Sequence, residues 1–231
     1  MRIPKLVKEI PSLVVPKKIR DMDRNNIFFI NSHAGSLPSI TDYTKYFSIR
    51  YHEREPQIEY LIKKYMLYNK TCLSICSGLG QDEILLSLKG DIAIDCIEKD
   101  INSVNIHKEF LKRFGIKTTT IYNMDMNNFN IDKRYDIIFT SSPSNWMEEP
   151  MLKGIPSYFL DFVDAHSRIG TYFIARLYGA NLTDYLMKPF FISLLKKRLS
   201  HNKFDMMEYE YKYKIDEKHT IAESIFVSRK G

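Results

Sequence analysis

The segment LSICSGLGQDEILLSLKG (residues 73–90) decides the fold. It begins as an apolar run, breaks at residues 77–80, and continues with Ile84, Leu85 and Leu88 at helical spacing. A short, nearly continuous apolar run is typical of a buried parallel strand, and the apolar spacing after it indicates a helix. Two glycines at such a junction let the backbone approach another group closely. The segment therefore predicts a strand, a tight turn beside a ligand or a neighbouring element, and a helix.

The same alternation continues along the chain. Strands are predicted at 71–77, 91–98, 117–123, 135–142 and 170–179, and helices at about 56–68, 81–89, 101–115, 156–167 and 182–200, the last bent or split at Pro189. From Met207 to Ile215 apolar and charged residues alternate strictly, with Met207 on the face expected to be buried, so residues 206–230 predict an antiparallel hairpin. Repeated β/α units followed by a hairpin predict an α/β, Rossmann-like, doubly wound and mostly parallel seven-stranded sheet. Ligands of such sheets bind at the carboxyl ends of the strands.

The bulk composition fits an ordinary globular protein. Of 231 residues, 44% are apolar and 27% are charged, as is typical of soluble domains. No stretch approaches the roughly 18 apolar residues that a membrane span needs, and acids and prolines interrupt the N-terminus, which makes it a poor secretory signal. We therefore expect a cytoplasmic protein without membrane contacts. An N-terminal helical or irregular arm (1–69) is expected to precede one domain (70–231).

The cysteines predict no metal site. Cys72, Cys76 and Cys96 fall within the predicted core strands, which suits buried thiols in a reducing compartment. Their spacing contains no C-x-x-C pair and no histidine is close in sequence, so a zinc site is not expected.

The glycine turn does not fit the common nucleotide motifs. A dinucleotide fingerprint needs a third small residue three positions after the second glycine, and here that position holds Glu83. A phosphate-binding P-loop would need Gly-Lys-Ser/Thr after the turn, and the sequence lacks it. The turn therefore indicates a different ligand, or an ordinary strand-to-helix connection.

Three features taken together resemble the class I S-adenosylmethionine-dependent methyltransferases. Gly78 and Gly80 follow the first strand, Glu98 ends the second, and Asp125 follows the third. The resemblance covers about residues 50–230, including the final hairpin. It implies that S-adenosylmethionine is the cofactor and that residues 70–231 are the domain that binds it. A carboxylate at the end of the second strand suits this ligand because its two oxygens accept hydrogen bonds from both ribose hydroxyls.

The resemblance also implies individual roles. The turn would pass under the methionine part of the cofactor, Glu98 would hold the ribose, and Asp125 with the Met126 amide would read the adenine edge. The cofactor-binding residues are therefore expected to be Cys76, Ser77, Gly78, Gly80, Glu98, Asp125, Met126 and Ser141. The turn departs from the family pattern at two positions, since Cys76 replaces its first glycine and Ser74 replaces the acid two residues earlier.

The methyl acceptor is expected beside the end of the fourth strand, in FTSSPSNWMEEP (139–150). This stretch matches only part of the Asp/Asn/Ser-Pro-Pro-aromatic motif of enzymes that methylate base amino groups. The chemical step does not require a general base, and the catalytic candidates are Ser142, Trp146 and His52, a side chain that titrates near neutral pH. The candidate substrate-binding residues are Tyr46, Tyr51, Trp146 and Arg176.

Three functions remain open from the sequence. The expected one is methyl transfer to a small molecule. The second is methylation of RNA or DNA, because the net charge is +6 and both the N-terminal arm and residues 194–203 are basic. The third is a non-catalytic Rossmann-like module that binds a partner, because the turn is altered at Ser74 and Cys76. The acceptor atom and the oligomeric state do not follow from the sequence.

Overall fold

The computed structural model describes residues 54–141, 157–179, 188–216 and 219–231. In chain order the elements are α1 (54–65), β1 (Thr71–Ile75), α2 (Gln81–Gly90), β2 (Ala93–Glu98), α3 (Ile101–Arg113), β3 (Thr119–Asn123), a 3-10 turn (Met126–Asn128), β4 (Tyr135–Ser141), α4 (Ser157–Ala165), β5 (Ser167–Gly179), α5 (Lys188–His201), β6 (Phe204–Asp216) and β7 (His219–Lys230). Each predicted strand and helix is present among them, with shifted boundaries. No helix in these four ranges is long and apolar enough to cross a membrane.

The strands form one sheet in the order β3-β2-β1-β4-β5-β7-β6. Strands β1 to β5 run parallel to one another. Strand β7 runs antiparallel to both β5 and β6. The predicted doubly wound, mostly parallel sheet with a C-terminal hairpin is therefore confirmed. The strand order reverses between β1 and β4, so the crevice at their carboxyl ends is where a ligand is expected.

The end of β1 differs from the prediction for a local reason. Strand β1 ends at Ile75 because Cys76 adopts a φ of +58°, a left-handed conformation that an extended strand excludes. Helix α5 is described over Lys188–His201, and this range includes Pro189. The bend predicted at this proline involves residues 182–187, which lie outside the described residues.

The prediction for the start of the hairpin was wrong at Met207. This side chain is 47% exposed, because the register of β6 against β7 shifts between Met206 and Glu208. Glu208 instead turns toward helix α1, where it accepts hydrogen bonds from Tyr65 Oη at 2.5 Å and Lys64 Nζ at 2.7 Å. Burial alone would raise the pKa of Glu208, but these two donors outweigh it and lower that pKa. These hydrogen bonds connect β6, the edge strand of the sheet, to α1.

The core lies on both faces of the sheet. One face buries Leu73 and Ile75 of β1 against α4, α5 and the hairpin. The other buries Cys72 with α1 and α2. Helix α1 contributes Ile58, Leu61, Ile62 and Tyr65 to that second face, so residues assigned to the arm pack directly on the sheet. The division of the chain at residue 69 stays a prediction.

Helix α2 is anchored by a buried ion-pair network. Asp82 is 1% exposed, and its oxygens accept from Arg176 Nη1 at 2.7 and 2.9 Å and from Arg54 Nη1 at 3.1 Å. Arg176 Nη2 also donates to Gln57 Oε1 at 2.5 Å. Burial would raise the pKa of Asp82, but the two guanidinium groups hold it below its usual value. One carboxylate therefore joins α2, β5 and α1 at the carboxyl edge of the sheet.

We predict that Asp82→Asn lowers the free energy of unfolding by about 3–5 kcal/mol, because it leaves two buried guanidinium groups facing a neutral amide. Urea unfolding followed by circular dichroism measures the change. Asp91→Asn is the matched control, since Asp91 is an exposed left-handed residue after α2 and asparagine tolerates that conformation. Equal stability losses in the two variants would show that the ion pair does not anchor the helix.

Candidate functional site

The turn between β1 and α2 contains three left-handed residues. Cys76, Gly78 and Gly80 have φ values of +58°, +54° and +76°. The Cys76 amide donates to Ile97 O at 2.9 Å and the Gly80 amide to Ser77 O at 3.0 Å. The first hydrogen bond therefore connects the turn to β2, and the second closes the turn between Ser77 and Gly80.

The two glycines of this turn are needed for different reasons. A Cβ on Gly80 would lie 2.0 Å from His107 Nε2 of helix α3, whereas a Cβ on Gly78 would meet nothing within 4 Å. The close approach at Gly80 thus accommodates a side chain of the protein. The open space is at Gly78, and this is the position where a ligand can approach the backbone.

Glu98 is held in place beside Gly78. Its Oε2 accepts from the Gly78 amide at 2.8 Å, and its Oε1 accepts from the Asp100 amide at 2.9 Å. Each carboxylate oxygen can accept more than one hydrogen bond, so both keep acceptor capacity toward a ligand. Glu98 is partly exposed. The predicted ribose-binding carboxylate is therefore oriented by the same turn that offers the open space.

Asp125 and Met126 lie at the end of the neighbouring strand. Asp125 caps the 3-10 turn, with Oδ1 accepting from the Asn127 amide at 3.0 Å and from Asn127 Nδ2 at 2.8 Å. Met126 is the first residue of that turn, and the first N–H groups of a helical turn have no partner within it. Burial, followed by Glu98, raises the pKa of Cys76 to about 12, and Asp125 adds to the effect. The Met124 amide donates to Glu98 O at 3.1 Å, so the segment that leads from β3 to Asp125 lies beside the end of β2 that carries Glu98.

Arg176 and Ser141 lie at the carboxyl ends of β5 and β4. They are register partners in the two strands. Arg176 is 1% exposed and is engaged by Asp82 and Gln57, and a hydrogen bond from Ser141 helps to lower the pKa of Asp82. Arg176 is thus part of the buried network, and its proposed contact with substrate stays a prediction. Five further candidates lie outside the described residues: Tyr46, Tyr51, His52, Ser142 and Trp146.

Sequence reading missed two buried groups next to the turn. Glu83 is 1% exposed, and its Oε1 accepts from Ser74 Oγ at 2.5 Å. Burial and the neighbouring Asp82 raise the pKa of Glu83 to about 8. His107 is fully buried, neither ring nitrogen has a hydrogen-bond partner among the described residues, and burial lowers its pKa to about 3. Its spacing from Val104 and Phe110 on the buried side of α3 is the signal that could have found it.

These features define the class of the protein. A sheet with this strand order, a glycine turn after β1 and a carboxylate ending β2 has the fold of the class I S-adenosylmethionine-dependent methyltransferases. The chain belongs to the family described as tellurite resistance protein TehB, whose profile matches residues 40–223. The resemblance drawn from the sequence is thereby confirmed.

Solved structures share the fold at low sequence identity. A candidate RNA methyltransferase from Pyrococcus horikoshii has a TM-score of 0.57 and 17% identity, over 76% of this chain and 82% of that one. TYW2 from M. jannaschii, solved with AdoMet, has a TM-score of 0.54 and 13% identity, over 78% and 75%. TehB from Haemophilus influenzae has a TM-score of 0.54 and 16% identity, over 76% and 62%. No curated protein matches the sequence.

The glycine turn yields a stability prediction. Gly78→Ala should cost about 1 kcal/mol, because its Cβ meets only open space and the cost is the left-handed backbone. Gly80→Ala should cost about 1–3 kcal/mol more, because its Cβ overlaps the His107 ring. Urea unfolding measures both. Adding His107→Ala should remove the extra cost at Gly80, and strictly additive losses in this double variant would contradict the overlap.

The raised pKa of Glu83 predicts how stability depends on pH. The unfolded chain loses the proton near the usual value of 4.5 and the folded protein near 8, so the folded state binds more protons in between. Stability should therefore fall as pH rises through this window, by up to about 1.4 kcal/mol per pH unit. The difference between wild type and Glu83→Gln in urea unfolding isolates this contribution. Parallel pH profiles would show that Glu83 titrates normally.

Proposed function

We propose that this protein is an S-adenosylmethionine-dependent methyltransferase that acts on a small-molecule acceptor. The observation that carries the proposal is the pairing of Glu98 with Gly78 at the carboxyl end of the sheet. A partly exposed carboxylate is held by two backbone amides, directly beside backbone whose missing Cβ leaves open space. A ligand with paired hydroxyls fits this arrangement.

The proposal assigns the cofactor to Glu98, Asp125 and the Met126 amide. Glu98 would accept from both ribose hydroxyls with the acceptor capacity left by Gly78 and Asp100. Asp125 and the Met126 amide supply one acceptor and one donor, which suits the edge of an adenine. The bound cofactor would supply the activated methyl group. The protein's own contribution is to hold the acceptor in line with that group and to exclude water.

The family supports a small acceptor. Its description names resistance to tellurite, a small oxyanion. The carboxyl ends of β4 and β5, where the acceptor is expected, carry Ser141 and Arg176, and Arg176 forms a buried ion pair with Asp82 of α2. A polar, largely buried wall at this end of the site suits a compact acceptor better than an extended one.

RNA is the second candidate acceptor. Lys196 and Lys197 are exposed on α5, the net charge is +6, and one structure of the same fold is a candidate RNA methyltransferase. Exposed cations attract phosphates without sequence preference, and such binding weakens steeply as salt rises. A methylated RNA product would replace the small-molecule proposal.

Methyl transfer from labelled S-adenosylmethionine tests the acceptor directly. Tellurite, a panel of small metabolites and total RNA are offered in separate reactions. Label in a small-molecule product supports the proposal, and label in RNA selects the alternative. A protein that binds neither S-adenosylmethionine nor S-adenosylhomocysteine at millimolar concentration would be a non-catalytic module, and the proposal would fail.

Glu98→Ala should weaken binding of S-adenosylhomocysteine by about 1.5–3 kcal/mol, the size of hydrogen bonds to a charged group. Isothermal titration measures the affinity, and thermal unfolding checks that the variant folds. Glu109→Ala is the matched control, because Glu109 is a partly exposed carboxylate of α3 that pairs with Arg113 one turn away. Unchanged affinity in a folded Glu98→Ala protein would refute the ribose assignment.

A further inference from the structure

A buried carboxyl lies where the glycine turn lacks its acid. Position 74, which is acidic in the resembled motif, is serine here. In the structure the Glu83 carboxyl reaches back from α2 to the same strand end, and Ser74 Oγ donates to it at 2.5 Å. Glu83 lies in the first turn of α2, which starts directly after the turn. A carboxyl group is therefore present at the end of β1 even though the strand does not carry one.

The other acid in this first turn is already engaged. Both oxygens of Asp82 accept from Arg176, and one also accepts from Arg54. Among the described residues, the Glu83 carboxyl accepts from Ser74, a neutral donor, and from no arginine side chain. Of the two carboxyls in the first turn of α2, Asp82 is the one that is paired with arginine.

The groups around Glu83 oppose its ionisation. Burial raises the pKa of Glu83 most, and Asp82 on the same helix raises it further. Ser74 on β1 and Arg54 on α1 lower it. Burial, followed by Glu83, raises the pKa of the thiols of Cys72 in β1 and Cys96 in β2. With a pKa of about 8, the carboxyl is mostly protonated at neutral pH. A cation arriving nearby would favour its charged form.

We propose that Glu83 supplies, from helix α2, the negative charge that attracts the ammonium group of the cofactor's amino acid part, with Ser74 holding the carboxyl at the end of β1. Glu83 is a positioning residue and takes no part in the methyl transfer. When the ammonium group binds, the Glu83 carboxyl releases its proton to solvent. The inference rests on the proposed function, because it assumes that the cofactor lies over the turn.

Two ligands test the inference. S-adenosylhomocysteine carries the ammonium group, and 5′-methylthioadenosine lacks the whole amino acid part. Glu83→Gln keeps an acceptor for Ser74 but cannot ionise, so it should bind S-adenosylhomocysteine about tenfold or more weakly and 5′-methylthioadenosine as wild type does. Glu109→Gln removes the same charge at a partly exposed position of α3 and should alter neither affinity. Equal weakening of both ligands, or of neither, would overturn the inference.

Proton release gives a second readout on the unaltered protein. Titration of S-adenosylhomocysteine near neutral pH, in two buffers with different ionisation enthalpies, should show release of a proton, and 5′-methylthioadenosine should show none. The affinity for S-adenosylhomocysteine should also rise with pH up to about 8, and this rise should be absent in Glu83→Gln. No proton release with S-adenosylhomocysteine would overturn the inference.

Moving the carboxyl tests the part played by Ser74. Ser74→Asp combined with Glu83→Ser transfers the acid to the strand and the hydroxyl to the helix. This double variant should bind S-adenosylhomocysteine more tightly than Glu83→Gln, and a failure to do so would overturn the role given to the strand end. If the wild-type protein binds neither ligand, the proposed function itself fails. If it binds both and Glu83→Gln matches it, only this inference fails.

Discussion

The carboxylate of Asp82 is the group on which the site depends. It is buried between Arg176 of β5 and Arg54 of α1, and it belongs to the first turn of α2, directly after the glycine turn. An uncompensated charge at this depth would be strongly destabilising, so the three elements must stay together. The network therefore determines where α2 starts, and with it the position of the turn that faces the crevice between β1 and β4.

The turn itself shows how two identical residues serve two purposes. Gly80 is next to the His107 ring, and Gly78 is next to open space and to Glu98. The first glycine satisfies packing within the protein, and the second leaves room for a ligand. The same compact region also buries a carboxyl on Glu83 and an imidazole on His107, two polar groups whose burial is costly. Such groups beside a cleft are more common at functional sites than elsewhere.

Local patterns were sufficient to predict the elements and the sheet. The apolar run at 71–77 and its successors identified the strands, and the hairpin followed from strict alternation. The prediction failed at Met207, because the register shift in β6 depends on pairing with β7 and on the hydrogen bonds that Tyr65 and Lys64 donate to Glu208. Both partners are about 140 residues away along the chain, so no local pattern could contain this information.

The sequence by itself determined the α/β class, the order of elements and the positions of Gly78, Glu98 and Asp125, because periodicity and the ends of strands are local properties of the chain. Only the tertiary structure decided which groups meet. It placed Glu83 against Ser74, His107 against Gly80, and Arg176 in an ion pair with Asp82, 94 residues away. These contacts arise because parallel strands bring segments that are distant along the chain to one edge of the sheet.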